Sequence, residues 1–456
     1  MLVAAAAFAI LVGLLAAAGR SWGAPVMAVA VLALGYYYTR TQGVASGLVA
    51  LLIVTSTVDH YTFPVGSLAL RPEQIAALLA LAVLVVMRLR DGGASWLKPS
   101  LPELLLLMWF AVGVISSLLA APDKRLSAKI LALIAICSLG LFLPRRLLSG
   151  TGFDERVQVV TRWLLVVFAT ESAYGSVAYI LHVFGPTIGL TPNPASGHLS
   201  AYGTLWEQNV FGGFAAAGAV AWVYLGPSRF RWAAIGLAAC VGGLFDSLTR
   251  AAWLAAGLVG ALGVAVPRLR SRIYFRQVLV GGLGGLAVVV ATLAVDRIGI
   301  YNVRLAPGGV GRPEGFLTSI LNLVDVAGRA NQIGPVWTDL SGHLVMGRGI
   351  ASYQALHVVA GIPQHVASLP LLVLNDTGVV GLALFAGFVF AVISRAWKMR
   401  ANLTVLGLSQ VALVIGLTNL ATETTELMIG WLLVGIMLAA CDVAARAPQT
   451  VSPSES

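Results

Sequence analysis

The chain has 456 residues, of which 58% are hydrophobic and only 11% charged, with a mean hydropathy of +0.89 and a formal net charge of +10. Those proportions exclude an ordinary soluble domain, a disordered chain and a small disulfide-stapled scaffold. They describe a polytopic membrane protein, because apolar runs repeatedly approach the roughly 20 residues a helix needs to cross about 30 Å of hydrocarbon.

The first run, Met1 to Ala18, lacks the basic start of a secretory signal and is followed almost at once by a second apolar run. It therefore reads as an uncleaved first helix. Continuous hydrophobicity between polar breaks predicts helices near 1–19, 24–39, 42–58, 73–89, 102–121, 127–143, 157–184, 208–226, 230–247, 250–267, 276–295, 375–396, 402–420 and 426–444. The expected fold class is all-α, a polytopic membrane helix bundle of about 12 to 14 transmembrane helices with one large, partly helical extracytoplasmic loop. Residues 1–202 are the N-terminal transmembrane helices, 203–444 a second unit that includes the loop 296–370, and 445–456 a disordered cytoplasmic tail.

Lys and Arg collect at Arg88, Arg90 and Lys98, at Arg145, Arg146 and Arg156, at Arg229 and Arg231, at Arg268, Arg270, Arg272 and Arg276, and at Arg395, Lys398 and Arg400. These groups fall on alternate loops. Short loops rich in Lys and Arg are retained in the cytoplasm, so both termini are expected inside and the loop 296–370 outside. The pair Lys124 and Arg125 breaks this alternation, offset in part by Asp123. The positive charge is thus mainly topological, and nucleic acid is not expected as a partner.

The three cysteines, Cys137, Cys240 and Cys441, are far apart and each lies in an apolar stretch, which leaves no disulfide framework and no CxxC metal site. The long loop is different in character. Its segment "EGFLTSILNLVDVAGRANQIGPVWTDLSGHLV" spaces apolar residues at helical intervals with polar residues between, as in helices that lie on or cap a membrane domain. A connector of this length and composition is expected to bind something.

Arg250, in "FDSLTRAAWLAA", stands at the junction of two predicted helices on the outer side. It is either an interfacial anchor paired with Asp246 one turn earlier or a cation facing an anionic ligand. Arg304, Arg312, Arg329 and Arg348 add guanidinium groups in or near the loop, and a planar fork that never deprotonates suits phosphate or diphosphate. Of the six histidines, His198, His343, His357 and His365 fall in predicted outside segments, with no HExxH or other zinc spacing. No metal and no cofactor is expected.

Four segments carry a family resemblance: "GTLWEQN" (203–209), "SLTRAAWLA" (247–255), "GRANQIGPVWTDLSGHLVMGRGIASY" (328–353) and "HVASLPLLVLNDTGVVGLALF" (365–385). In this order, and with this topology, the stretch from about 203 to 390 resembles the bacterial O-antigen ligase and O-antigen polymerase superfamily. The resemblance implies a glycosyltransferase at the outer face of the cytoplasmic (inner) membrane. Its donor would be an undecaprenyl-diphosphate-linked glycan, its acceptor a hydroxyl of a glycan or lipid-linked molecule, and membrane lipids its surroundings.

The resemblance further implies that a loop histidine activates the acceptor hydroxyl while arginines hold the diphosphate. His365 matches the family histidine first and His343 second; Arg250 matches the helix-start arginine, Arg329 approximately the loop arginine, and Arg304 and Arg348 would assist. A reference pKa of about 6.5 suits a histidine to that role. The chain departs from the family in reading His-Val-Ala-Ser-Leu-Pro where His-Asn, an aromatic and Leu are usual, and in lacking the arginine before "GTL". Asp376 would orient a histidine or cap the helix. The rival from another class is a flippase or other multi-helix transporter, for which Glu171 would be the key buried charge, unless it is simply packed and hydrogen-bonded.

Overall fold

The computed structural model describes residues 33, 36–37, 39–59, 61–65, 68–90, 98–148, 153–184, 189–192, 199–205, 207–227, 230–271, 273–299, 326–359 and 362–446. The expected helix 1–19, most of 24–39, the loop arginines Arg304 and Arg312, His198 and all but the first residues of the C-terminal tail lie outside them.

Helices dominate: α1 (Val44–Thr55), α2 (Pro72–Arg90), α3 (Leu101–Ala120), α4 (Lys124–Leu147), α5 (Phe153–Leu181), α6 (Gln208–Leu225), α7 (Phe230–Asp246), α8 (Arg250–Ala265) and α9 (Phe275–Gly299), then α10 (Val326–Leu340), α11 (Ser352–Leu356), α12 (Leu369–Lys398), α13 (Leu403–Thr418) and α14 (Met428–Ala444). Among the described residues six helices are long and apolar enough to cross a membrane, namely α2, α3, α4, α5, α9 and α12. The apolar helices α1, α8, α13 and α14 are shorter, at 12, 16, 16 and 17 residues. Leu89, Leu119, Leu254 and Phe390 point out of the bundle, as lipid-facing side chains do. α9 packs on α7 through Gly281 and Gly285, set against Leu237 and Val241, the small-residue contact that lets membrane helices approach closely.

Local chemistry starts these helices where the polar breaks fall. Asp123 caps α4 by accepting from the backbone N–H groups of Arg125 (2.9 Å) and Leu126 (3.0 Å), and Asn402 caps α13 by accepting from Thr404 (3.0 Å) and Val405 (3.1 Å). At α3 the Ser100 N–H donates to Glu103 Oε2 at 2.7 Å.

The bundle has two polar ends. At one, Arg145 meets Glu103 (2.6 Å) and Asp442 (2.7 Å), Arg146 meets Glu103, Arg395 meets Asp442, and Arg88 donates to the Arg146 carbonyl at 3.1 Å. These arginines come from three of the five basic groups, those at 88–98, 145–156 and 395–400, whose loops meet at this end. At the other end Thr204 Oγ1 donates to the Thr57 carbonyl, Thr249 Oγ1 to Gln208 O at 3.0 Å, Ser127 Oγ to Ile350 O at 2.6 Å and Leu369 N to Asn419 O at 3.1 Å.

Among the described residues three short antiparallel strand pairs also form: β1–β2 (Phe63–Val65, Leu68–Leu70), β3–β4 (Leu190–Pro192, Leu199–Ala201) and β5–β6 (Val358–Val359, Ile362–Pro363). In the second half of the long loop, a small core of Val336, Leu340, Tyr353 and Val366 packs on Leu371, Leu372 and Leu374 of α12. Within 326–359, α10 and α11 are helical and are clamped onto the bundle.

α12 begins at Leu369, six residues before the expected 375, because Pro370 occupies the first turn, where its missing N–H goes unused. It breaks at Gly378, whose φ of 65° and ψ of −167° interrupt the helix. The segment 344–349 enters that break and pairs with it: Arg348 N donates to Asn375 O (2.9 Å), Gly349 N to Asp376 O (3.0 Å), Val379 N to Leu344 O (2.9 Å) and Val380 N to Val345 O (3.2 Å). Asp376 is accordingly no N-terminal cap, as the sequence had suggested. It lies buried at the break and accepts from Ala351 N at 3.2 Å and Ser352 Oγ at 3.4 Å.

A Cβ at Gly378 would stand 2.4 Å from the Val345 carbonyl oxygen, in addition to the left-handed φ. Gly378→Ala should therefore cost about 2–3 kcal/mol or more, read as a lower melting temperature in detergent; an unchanged melt would mean that the interlock does not form.

Candidate active site

Asp339, Arg348, His357 and His365 gather at the end of the bundle opposite the basic knot. β5–β6 brings His357 and His365 to the base of one hairpin, where Gln364 N donates to His357 O at 2.8 Å. His357 Nε2 lies 2.8 Å from Asp339 Oδ2, and its ring packs against Tyr353 with centroids 4.2 Å apart. Arg348 donates to the Asp339 carbonyl at 3.3 Å and keeps a guanidinium nitrogen 4.0 Å from its carboxylate. A carboxylate on Nε2 fixes the proton there and leaves Nδ1 as the acceptor of a neutral ring.

His365 is exposed and differently held. Its Nδ1 is 3.1 Å from the Gln354 side-chain amide nitrogen, while its carbonyl accepts from Gln332 Nε2 at 3.0 Å. An amide nitrogen donates and does not accept, so with Gln354 placed this way Nδ1 of a neutral His365 accepts and its proton sits on Nε2, the opposite tautomer to His357.

Beneath the hairpin lies a charged group that sequence reasoning missed. Buried Arg71, before the proline that starts α2, donates to Glu426 O at 2.6 Å. Glu423 is within electrostatic reach of His365, and Lys129 of α4 within reach of Glu426. Burial pushes Glu423 up to about 7, with the like charge of Glu426 adding to the effect and hydrogen bonds from Thr425 and the charge of His365 opposing it. Burial also raises Glu426, opposed by Arg71, Gln354 and Lys129. The signal lies in "ATETTE", two carboxylates three residues apart in a tight connection between apolar runs. A cavity of about 10 Å³, room for one water, separates Glu426 and Gln354 from Asp376 and Trp109.

The other sequence-chosen residues sort as follows. Arg250 is the first residue of α8, at a turn with Leu248 at φ 54°; Thr249 Oγ1 ties that turn to the start of α6, so the segments 203–209 and 247–255 are neighbours. Asp246 is buried, turned toward Ser176 and Thr292. Arg329 lies in the first half of α10. His343 lines an open groove of about 540 Å³ between Ser116, Leu119 and Ala120 of α3 and the segment 342–347. Glu171 is packed and bonded: its carboxylate accepts from Thr204 N (2.6 Å) and Oγ1 (2.9 Å). Among the described residues no three His, Cys, Asp or Glu side chains converge as metal ligands would.

No model of a known protein family matches the chain, and no curated protein does either.

A carboxyl whose folded pKa of about 7 exceeds its unfolded value near 4.3 takes up a proton on folding, so its contribution falls as pH rises through that window. Glu423→Gln should therefore raise the melting temperature more at pH 8 than at pH 5; a gain that is flat or larger at pH 5 would contradict this environment.

Proposed function

We propose that the protein is a membrane glycosyltransferase that transfers a glycan from an undecaprenyl-diphosphate-linked donor to an acceptor hydroxyl. It would do so at the outer face of the bacterial cytoplasmic membrane, in a bundle of about 12 to 14 spans, as an O-antigen or exopolysaccharide polymerase or ligase. One observation carries this reading. The segments that resemble the O-antigen ligase and polymerase superfamily pair at one end of the bundle, 203–209 with 247–250 and 343–350 with 375–380, and that end presents a histidine backed by a carboxylate and an arginine.

In the reaction, the acceptor oxygen forms a bond to the anomeric carbon as that carbon's bond to the diphosphate oxygen breaks. The acceptor proton passes to a histidine, and undecaprenyl diphosphate leaves with the electron pair. Arginine holds the charge that grows on the diphosphate, with Arg348, Arg250, Arg329 and Arg304 the candidates. For the base, the ring-nitrogen assignment favours His357, whose Nδ1 is open and whose Nε2 is held by Asp339. His365, first in the sequence reading, offers its Nε2–H instead and suits a donor to acceptor or leaving oxygen.

The test is purified protein in liposomes with an undecaprenyl-diphosphate-linked oligosaccharide and candidate acceptors. A ladder of products denotes a polymerase and a single conjugate a ligase. His357→Ala and Asp339→Asn should each lower transfer by about 10²- to 10⁴-fold at unchanged melting temperature; if His365→Ala abolishes transfer and His357→Ala does not, the base is His365. Orientation is read separately: a membrane-impermeant maleimide should label Lys124→Cys from outside intact cells and leave Arg400→Cys unlabelled.

A second reading, a flippase for lipid-linked sugars, draws on the break in α12 with Asn375 and Asp376 buried beside it, since transporters place substrates at interrupted helices. Movement of labelled lipid-linked sugar across the liposome membrane with no transfer product would favour it.

A further inference from the structure

The cavity of about 10 Å³ between Trp109, Gln354, Asp376 and Glu426 has no part in the chemistry above, and its walls carry more polar groups than their hydrogen bonds use. Trp109 is 3% exposed, and among the described residues nothing accepts from its indole N–H. Asp376 is loosely bonded. Its donors, Ala351 N (3.2 Å), Ser352 Oγ (3.4 Å) and Asn375 Nδ2 (3.2 Å), stand at or beyond the long end of the usual range, and a carboxylate accepts about four. An apolar void of this size stays dry, whereas one with two to four polar partners takes a water. A water here has three: it accepts from Trp109 Nε1 and donates one hydrogen to Glu426 and the other to Asp376.

Charge on the surrounding elements decides what that water joins. Both ionised, the two carboxyls repel across a single molecule. Glu423, from the same connection as Glu426, is within electrostatic reach of each and is itself within reach of His365. The counter-charges are Arg71, before α2, and Lys129 of α4, both acting on Glu426. Arg71 is divided, because Glu73, with Asp59 in reach, also draws on it. α12 contributes the neutral Asn375, and α11 the neutral Ser352 and Gln354. Three carboxyls thus face one undivided cation, so the group holds a proton at neutral pH.

We infer that the cavity is a water site, and that its water, held by Trp109, joins Glu426 and Asp376 into a pair that shares one proton. The pair grips α11 at both ends: Asp376 accepts from Ala351 N and Ser352 Oγ at its start, and Glu426 is hydrogen-bonded by the Gln354 side chain. α11 leads directly into His357, and Gln354 also reaches His365 Nδ1 at 3.1 Å. When Glu426 gives its proton to the water and the water gives one of its own to Asp376, the grip at Ala351 weakens and the grip on Gln354 strengthens. The pair is therefore a pH-sensitive clamp on the short helix that positions both histidines. Its water and proton belong to the fold whatever reaction those histidines serve.

The experiment uses full-length protein in nanodiscs, with an electron cryomicroscopy map that resolves ordered waters and infrared difference spectra at pH 8, above the value of about 7 to which Glu423 is raised. One water peak is expected within hydrogen-bond distance of Trp109 Nε1, Glu426 and Asp376. Trp109→Phe, which keeps a ring against Phe385 and removes the N–H, should lose it. A protonated-carboxyl C=O band that shifts in heavy water should disappear in Glu426→Gln and in Asp376→Asn alike, because one neutral partner lets the other ionise. Ordered walls without a water, or a water that stays in Trp109→Phe, would overturn the site. A band lost in only one of the two variants, or only in Glu423→Gln, would overturn the sharing. Should Asp376→Asn not fold, carbon-13 labelling of aspartate carboxyls replaces it: aspartate C=O intensity must fall in Glu426→Gln, and a change confined to glutamate overturns the sharing.

Discussion

The arrangement of this end of the bundle depends on one interlock, the entry of residues 344–349 into the break of α12. A helix interrupted in an apolar setting leaves carbonyls and N–H groups without partners, and each costs free energy unless another backbone meets it. Here the loop supplies that backbone: Leu344 and Val345 accept from Val379 and Val380, while Arg348 and Gly349 donate to Asn375 and Asp376. Gly347 and Gly378, both at positive φ, allow the approach, since a Cβ on either would lie 2.4 Å from the other strand's backbone. Ser116 and Ser117 of α3 hold the same segment through Asp376 O (2.9 Å) and Ile350 N (3.0 Å). A loop fixed at that depth fixes Arg348, and with it Asp339 and the ring of His357.

Charge is divided between the two ends by different physics. At the basic end, Glu103 and Asp442 each sit between two arginines, which ties α3, α4, α12 and α14 into one ionic knot. Such buried networks hold only where nearly every donor finds an oxygen, and Ser100 supplies one more at 2.7 Å from Arg145. At the other end carboxylates outnumber what Arg71 and Lys129 neutralise, and protonation rather than pairing accommodates Glu423. An end rich in raised carboxyls and oriented histidines is suited to moving protons, whereas the knotted end is suited to staying put.

The two histidines of the β5–β6 hairpin show how neighbours rather than residue type set chemistry. His357 has a carboxylate on Nε2 and His365 an amide on Nδ1, so identical rings carry their protons on opposite nitrogens. The hairpin places one acceptor and one donor within a single turn of chain, an arrangement that general acid and base chemistry at an oxygen can use.

Much of the architecture was legible in the sequence. Hydropathy located α2 through α9, α13 and α14 within a few residues, because a lipid-facing helix advertises itself locally through a continuous apolar run. The clustering of arginines pointed to the loops at 88–98, 145–156 and 395–400 as neighbours, because that pattern is also local. Arg71, Glu423, Glu426, the Asp339–His357 pair and the break at Gly378 were not legible in the same way. Each acquires its meaning from a partner far along the chain: Arg71 from residue 426 and Gly378 from residue 345. Even the start of α12 turned on Pro370, a residue that signals interruption inside a helix and initiation at its first turn, and only packing on Val336, Leu340 and Val366 decides between them. Solvent preference, residue by residue, makes most of the helices and the basic loops legible along the chain. Which polar groups meet depends on distances between segments, which no local pattern records.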